Sequence, residues 1–179
     1  ALVGWNGGGY GWDGTNTGSL HAINTGSGDI TINEDAVGGH VNVDALGQTN
    51  AGEAGDIILT TEDGGMTVRP GGQGTEWRIP ENNHAVRTAG TGSVMLTTQG
   101  NDQGITLNDV LRSTNAASTA TIQLNATGTL DVGADISAAG AMPIDLNADD
   151  AVHQNADISS DGGPITVSAM EYDGITTDD

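Results

Sequence analysis

Short units in which two apolar residues flank a third residue recur along the whole chain, separated by turns rich in Gly, Asn, Asp, Ser and Thr. Among them are Ile30-Thr31-Ile32, Val41-Asn42-Val43, Ile57-Ile58-Leu59, Met66-Thr67-Val68, Val94-Met95-Leu96 and Ile105-Thr106-Leu107. The series continues with Ile122-Gln123-Leu124, Leu130-Asp131-Val132, Ile144-Asp145-Leu146 and Ile165-Thr166-Val167. A period of two places alternate side chains on opposite faces of a strand, so each unit predicts a short strand with one buried face. Helical spacing is almost absent; Leu107 to Ala117 is the one stretch that predicts a helical turn or two.

A longer unit contains these triplets. Ile23 to Ile32, Leu59 to Val68, Leu96 to Leu107 and Ile158 to Val167 each run from an apolar residue through small polar residues and a Gly-containing turn to apolar-Thr-apolar. A face two apolar residues wide buries nothing by itself, so such units must stack on one another, as the coils of a solenoid do. The centres Thr31, Thr67, Thr106 and Thr166 are separated by 36, 39 and 60 residues. Those intervals suggest two, two and three coils of roughly 18 to 20 residues. The expected fold is therefore all-β, a parallel β-helix or β-solenoid. An antiparallel β-sandwich is the alternative, with Asp63-Gly64, Asp161-Gly162 and Asp173-Gly174 as hairpin turns. The absence of Phe agrees with a narrow core of stacked aliphatic side chains.

The aromatic residues stand outside the repeats. Residues 1–18 form a Gly-rich arm or cap with Trp5, Tyr10 and Trp12, and the expected solenoid spans 19–169. An insertion at 69–92, which lacks an apolar-x-apolar unit, carries Trp77, His84 and three of the four arginines. Residues 170–179 read as an acidic tail with Met170 and Tyr172.

Segments such as I-S-S-D-G-G-P-I-T-V-S-A (158–169), I-N-T-G-S-G-D-I-T-I-N (23–33) and G-S-V-M-L-T-T-Q-G (92–100) resemble the degenerate repeats of filamentous-haemagglutinin-type adhesins. Other large secreted bacterial β-solenoid proteins share the pattern. The resemblance covers roughly Ser19 to Ala169 and implies an extracellular or cell-surface protein with a structural or adhesive role.

Charge narrows the partners. The 179 residues carry 24 Asp and Glu against 4 Arg and no Lys, a formal net charge of -20. Phosphate neutralisation needs a basic stripe, so nucleic acid is not an expected partner. No apolar run of about 18 residues and no polybasic segment suggests membrane insertion. The lack of lysine excludes P-loop and Schiff-base chemistry, and the lack of cysteine excludes thiolate nucleophiles and disulfides.

The remaining motifs carry little chemistry. Gly8-Gly9-Tyr10-Gly11-Trp12-Asp13 matches the start of a calcium-binding nonapeptide, with Asp13 as the ligand, but adjacent copies are needed to complete a site. Weak calcium association with the acidic surface is the only cofactor expectation. Asp145-Leu146-Asn147-Ala148-Asp149 begins like an EF-hand loop, yet Asp150 occupies the position that requires Gly. The histidines His21, His40, His84 and His153 lack metal-ligand spacing and read as turn or surface residues. Asp131 and Asp145 are the only outward strand carboxylates in the apolar triplets available for glycosidase-like chemistry. Outward threonines are interrupted too often for a flat ice-binding array, and Asn125-Ala126-Thr127 forms a glycosylation sequon.

The chain therefore reads as a non-catalytic extracellular building block of a filament, sheath or adhesin stalk. End-to-end self-association through Trp5, Tyr10, Trp12, Met170 and Tyr172 is expected, because solenoid ends are either capped or stacked. The alternative is a surface-glycan-binding module using Trp77, Arg78 and Glu76, since an aromatic ring beside charged groups can stack on a sugar.

Overall fold

In the computed structural model, residues 2–6, 19–35, 38–51, 54–70 and 84–174 are described, with side chains from Leu20 onward. They contain strands and turns and no helix. Strands β1 (Leu2–Asn6) and β2 (Ser19–Asn24) precede the first full turn, which holds β3 (Ile30–Glu34) and β4 (Val41–Gln48). The second turn comprises β5 (Ile57–Thr61), β6 (Met66–Val68) and β7 (Val86–Thr88), and the third β8 (Val94–Thr98), β9 (Ile105–Leu107) and β10 (Leu111–Ser113). Next come β11 (Ile122–Ala126), β12 (Leu130–Val132) and β13 (Ile136–Ala138), then β14 (Ile144–Ala148), β15 (Ala151–Gln154) and β16 (Ile158–Ser160). Strands β17 (Ile165–Ser168) and β18 (Glu171–Asp173) begin a last turn.

Each turn lays one strand in each of three parallel columns, which makes the protein a β-solenoid. The first column is a six-stranded sheet, β3-β5-β8-β11-β14-β17. The second (β6, β9, β12, β15, β18) and third (β7, β10, β13, β16) join through β4, which pairs with β6 at Val41 to Val43 and with β7 at Leu46 to Gln48. Among the described residues every pairing is parallel except β1 on β2, which is antiparallel. The antiparallel sandwich is excluded.

The triplets explain the columns. Ile57, Val94, Ile122 and Ile144 form one inward row of the first column, and Leu59, Leu96, Leu124 and Leu146 the other, all 0% exposed. Met66, Ile105, Leu130 and Val152 stack in the second column, and Leu46, Val86, Leu111 and Ile136 in the third. Burying each of these side chains contributes about 1.5–3 kcal/mol. The ends differ from the middle, for Ile32 and Val167 are only partly buried and Ile165 is exposed, although the pattern placed all three inward.

The structure corrects the coil arithmetic. Register in the first column runs Ile30, Ile57, Val94, Ile122, Ile144, Ile165, so a turn takes 21 to 37 residues rather than a constant 18 to 20. Thr67 and Thr106 are direct neighbours in the second column, whereas Thr31 and Thr166 lie in the first. The longest turn contains the segment 69–92, inside which β7 nevertheless completes the third column, with Val86, Arg87 and Thr88 all buried. The stretch expected to hold a helical turn instead supplies β10, whose Leu111 is needed in the stack. Asn42, read as outward, is buried where β4 is overlain by β2.

Glycine marks two corners where turns approach closely. A Cβ on Gly64 would overlap the carbonyl of Gly39 in the turn before it, and one on Gly92 would overlap the carbonyl of Gly55. Acidic side chains hold other corners. Asp29 Oδ1 accepts the amide of Asp56 at 2.9 Å, and Asp56 Oδ1 accepts the amide of Ser93 at 2.7 Å. Part of the acidic composition is thus structural: these carboxylates tie one turn to the next.

Candidate functional surfaces

The most polar cluster sits where β4 passes from the second column to the third. Pairing with β2 skips one residue there, because Leu20 faces Val43 while His21 faces Ala45, and the skipped residue is Asp44. Its buried carboxylate receives Arg69 through Nε at 2.9 Å and Nη2 at 2.8 Å, with His21 Nε2 at 3.5 Å. His40, beside this corner, has one exposed side and bonds Thr67 Oγ1 through Nε2 at 2.9 Å. Burial of the rest of the ring and the Arg69 charge hold its pKa below the ordinary imidazole value. The cluster closes a bulge with an ion pair.

A second arrangement lies on the outer side of the second column, where Asn42, Thr67, Thr106, Asp131, His153 and Asp173 occupy successive rungs. His153 Nδ1 is 2.9 Å from Asp131 Oδ1, and both side chains are 44% exposed. Asp145 is on the first column, so the structure does not join it to Asp131 as a carboxylate pair. His153 is a surface residue, as expected, with a carboxylate partner, whereas His21, its side chain 11% exposed, lies within β2 against Asp44 and not at a turn or on the surface. Among the described residues no group of three or more His, Asp or Glu is arranged to hold a metal.

The first column carries an outer polar ladder. Asn147 Nδ2 donates to Asn125 Oδ1 at 3.0 Å, and Asn125 Nδ2 donates to Thr97 Oγ1 at 3.2 Å. The sequon asparagine is thus held in a strand. On the third column Arg87 and Arg112 occupy adjacent rungs.

The C-terminal turn differs from all others. Ile165, Met170 and Tyr172 are 45%, 87% and 54% exposed, the exposed large apolar residues among those described. Tyr172 belongs to β18, which pairs with β15, and its hydroxyl donates to Gln154 Oε1. Met170 and Tyr172 are therefore part of a turn of the solenoid rather than a separate tail. At the other end β1, which carries Trp5 opposite Leu20, covers the edge of the twelve-stranded sheet. Tyr10, Trp12 and Asp13, and the proposed sugar-binding residues Glu76, Trp77 and Arg78, lie outside the described residues.

The fold and these surfaces define a β-solenoid repeat protein. No known family model matches the chain, and neither the curated proteins nor the solved structures give a match. No helix among the described residues is long and apolar enough to cross a membrane.

Proposed function

We propose that the protein is a structural module of an extracellular filament, sheath or adhesin stalk, and that copies join end to end through the C-terminal turn. The observation that carries this reading is the contrast between Ile165, 45% exposed, and the four residues directly before it in the same row, all 0% exposed. A row that is dry in the interior and open at one end presents apolar surface and strand edge together, the combination on which another chain pairs. The opposite end, where the antiparallel β1 covers the edge of the twelve-stranded sheet, is unlike it, and contact between unlike ends propagates into a fibre instead of closing. The adhesin-like repeats agree with a surface role. A net charge of -20 opposes association, so salt and divalent cations promote it by screening.

Sedimentation velocity and negative-stain microscopy of the wild type and Met170→Asp test this. Met170 is 87% exposed, so the substitution leaves the fold intact by circular dichroism. Wild type is expected to form salt-dependent filaments that the variant shortens or abolishes. A monomeric wild type at every salt concentration, or a variant that assembles equally well, overturns the proposal.

A further inference from the structure

The last inward position of each third-column strand forms a row of Gln48, Thr88, Ser113, Ala138 and Ser160. Its first three members are 0%, 0% and 1% exposed. Gln48 Oε1, Thr88 Oγ1 and Ser113 Oγ are buried with no hydrogen-bond partner among protein atoms. Other hydroxyls are paired: Thr98 Oγ1, in the first column, donates to Gln103 O at 2.6 Å, and Ser160 Oγ, at the far end of this row beyond Ala138, donates to Met142 O at 2.7 Å. These three oxygens are consecutive, one per turn, along one corner.

Neighbouring strands stand about 4.7–4.9 Å apart. An O–H···O bond spans about 2.5–3.0 Å, so oxygens one strand spacing apart are too far for a direct bond and suitably spaced for a single bridging molecule. Gln48 Nε2 already donates to Gly28 O at 3.0 Å, which leaves its oxygen as an acceptor. Each hydroxyl can donate to one side and accept from the other. The row also has room, since Ser113 and Ala138 are smaller than Leu111 and Ile136 of the neighbouring inward row. We propose that Gln48, Thr88 and Ser113 form an internal hydration site, a file of two bound waters running along the solenoid axis, one between Gln48 and Thr88 and one between Thr88 and Ser113. Ala138, with no polar atom, ends the file. The waters tie three successive turns together at the corner leading to the first column, where buried polar groups require partners.

Water-to-protein cross-relaxation in the NMR spectrum of the full chain tests the site. Long-lived water signals are expected at the Thr88 and Ser113 side chains. Both should be lost in the near-isosteric double variant Thr88→Val/Ser113→Ala, whose strand amides keep their dispersion. Absence of long-lived water in the wild type, or its persistence in the double variant, overturns the proposal. If the double variant does not fold, oxygen-17 relaxation dispersion on the wild type and Ser113→Ala decides the matter, with one fewer long-lived water expected in the variant and an unchanged count as the contrary result.

Discussion

Asn125 and Asn147, on adjacent rungs of the first column, are joined by a 3.0 Å bond from Asn147 Nδ2 to Asn125 Oδ1. Asn125 also accepts from Gln123 Nε2 at 3.1 Å and donates to Thr97 at 3.2 Å, so three contacts converge on one amide. Asn125→Ala is expected to cost about 1–3 kcal/mol, and Asn147→Ala about 1 kcal/mol, by urea denaturation. Equal losses in the two variants would show that Asn125 is not the centre of the ladder.

Ile105 packs between Met66 and Leu130 at 0% exposure. Ile105→Asp places an unpaired carboxylate in the stack and should cost about 4 kcal/mol or more, unfolding the middle turns. Thr106→Asn, one residue away on the outer side, should change stability by less than about 0.5 kcal/mol. Melting curves that fail to separate the two would contradict the inward assignment of Ile105.

The corner glycines give a steric test. Gly64→Ala forces a methyl group into the Gly39 carbonyl and is expected to cost about 1–3 kcal/mol. At Gly26 the nearest atom to an added Cβ is Asn24 Oδ1 at 3.8 Å, so Gly26→Ala should change stability by less than about 1 kcal/mol. Chemical denaturation of both variants measures the difference, and a tolerated Gly64→Ala would mean that the turns are not in the contact described.

His40 supplies a pH dependence. Its folded pKa is lowered, so between that value and the ordinary imidazole value the unfolded chain binds more protons than the folded one. The His40 contribution to stability is therefore complete above the ordinary imidazole range and falls as pH drops through it towards the lowered value. His40→Gln should make the stability curve flatter across that window. Parallel wild-type and variant curves from neutral to mildly acidic pH would contradict the role of His40.

Much of the scaffold was legible in the chain itself. Triplets such as Ile122-Gln123-Leu124 dictated short strands and the side that faces inward, because alternation along an extended backbone is a local property. Their shallow apolar faces also dictated stacking into a solenoid. Which triplets become neighbours was decided only in three dimensions. Thr67 and Thr106 meet across a long turn while Thr31 belongs to another column, since lengthening a surface loop costs little and the spacing in sequence does not record the column. Val86-Arg87-Thr88 lacks the apolar triplet and joins a sheet because its neighbours Leu46 and Leu111 leave a rung for it. The Asp44–Arg69 pair, the His153–Asp131 contact and the Asn125 ladder likewise arise from register between turns. Strand and inward face follow from residues next to one another, whereas polar partners are chosen by stacking, which brings together residues 18 to 37 positions apart.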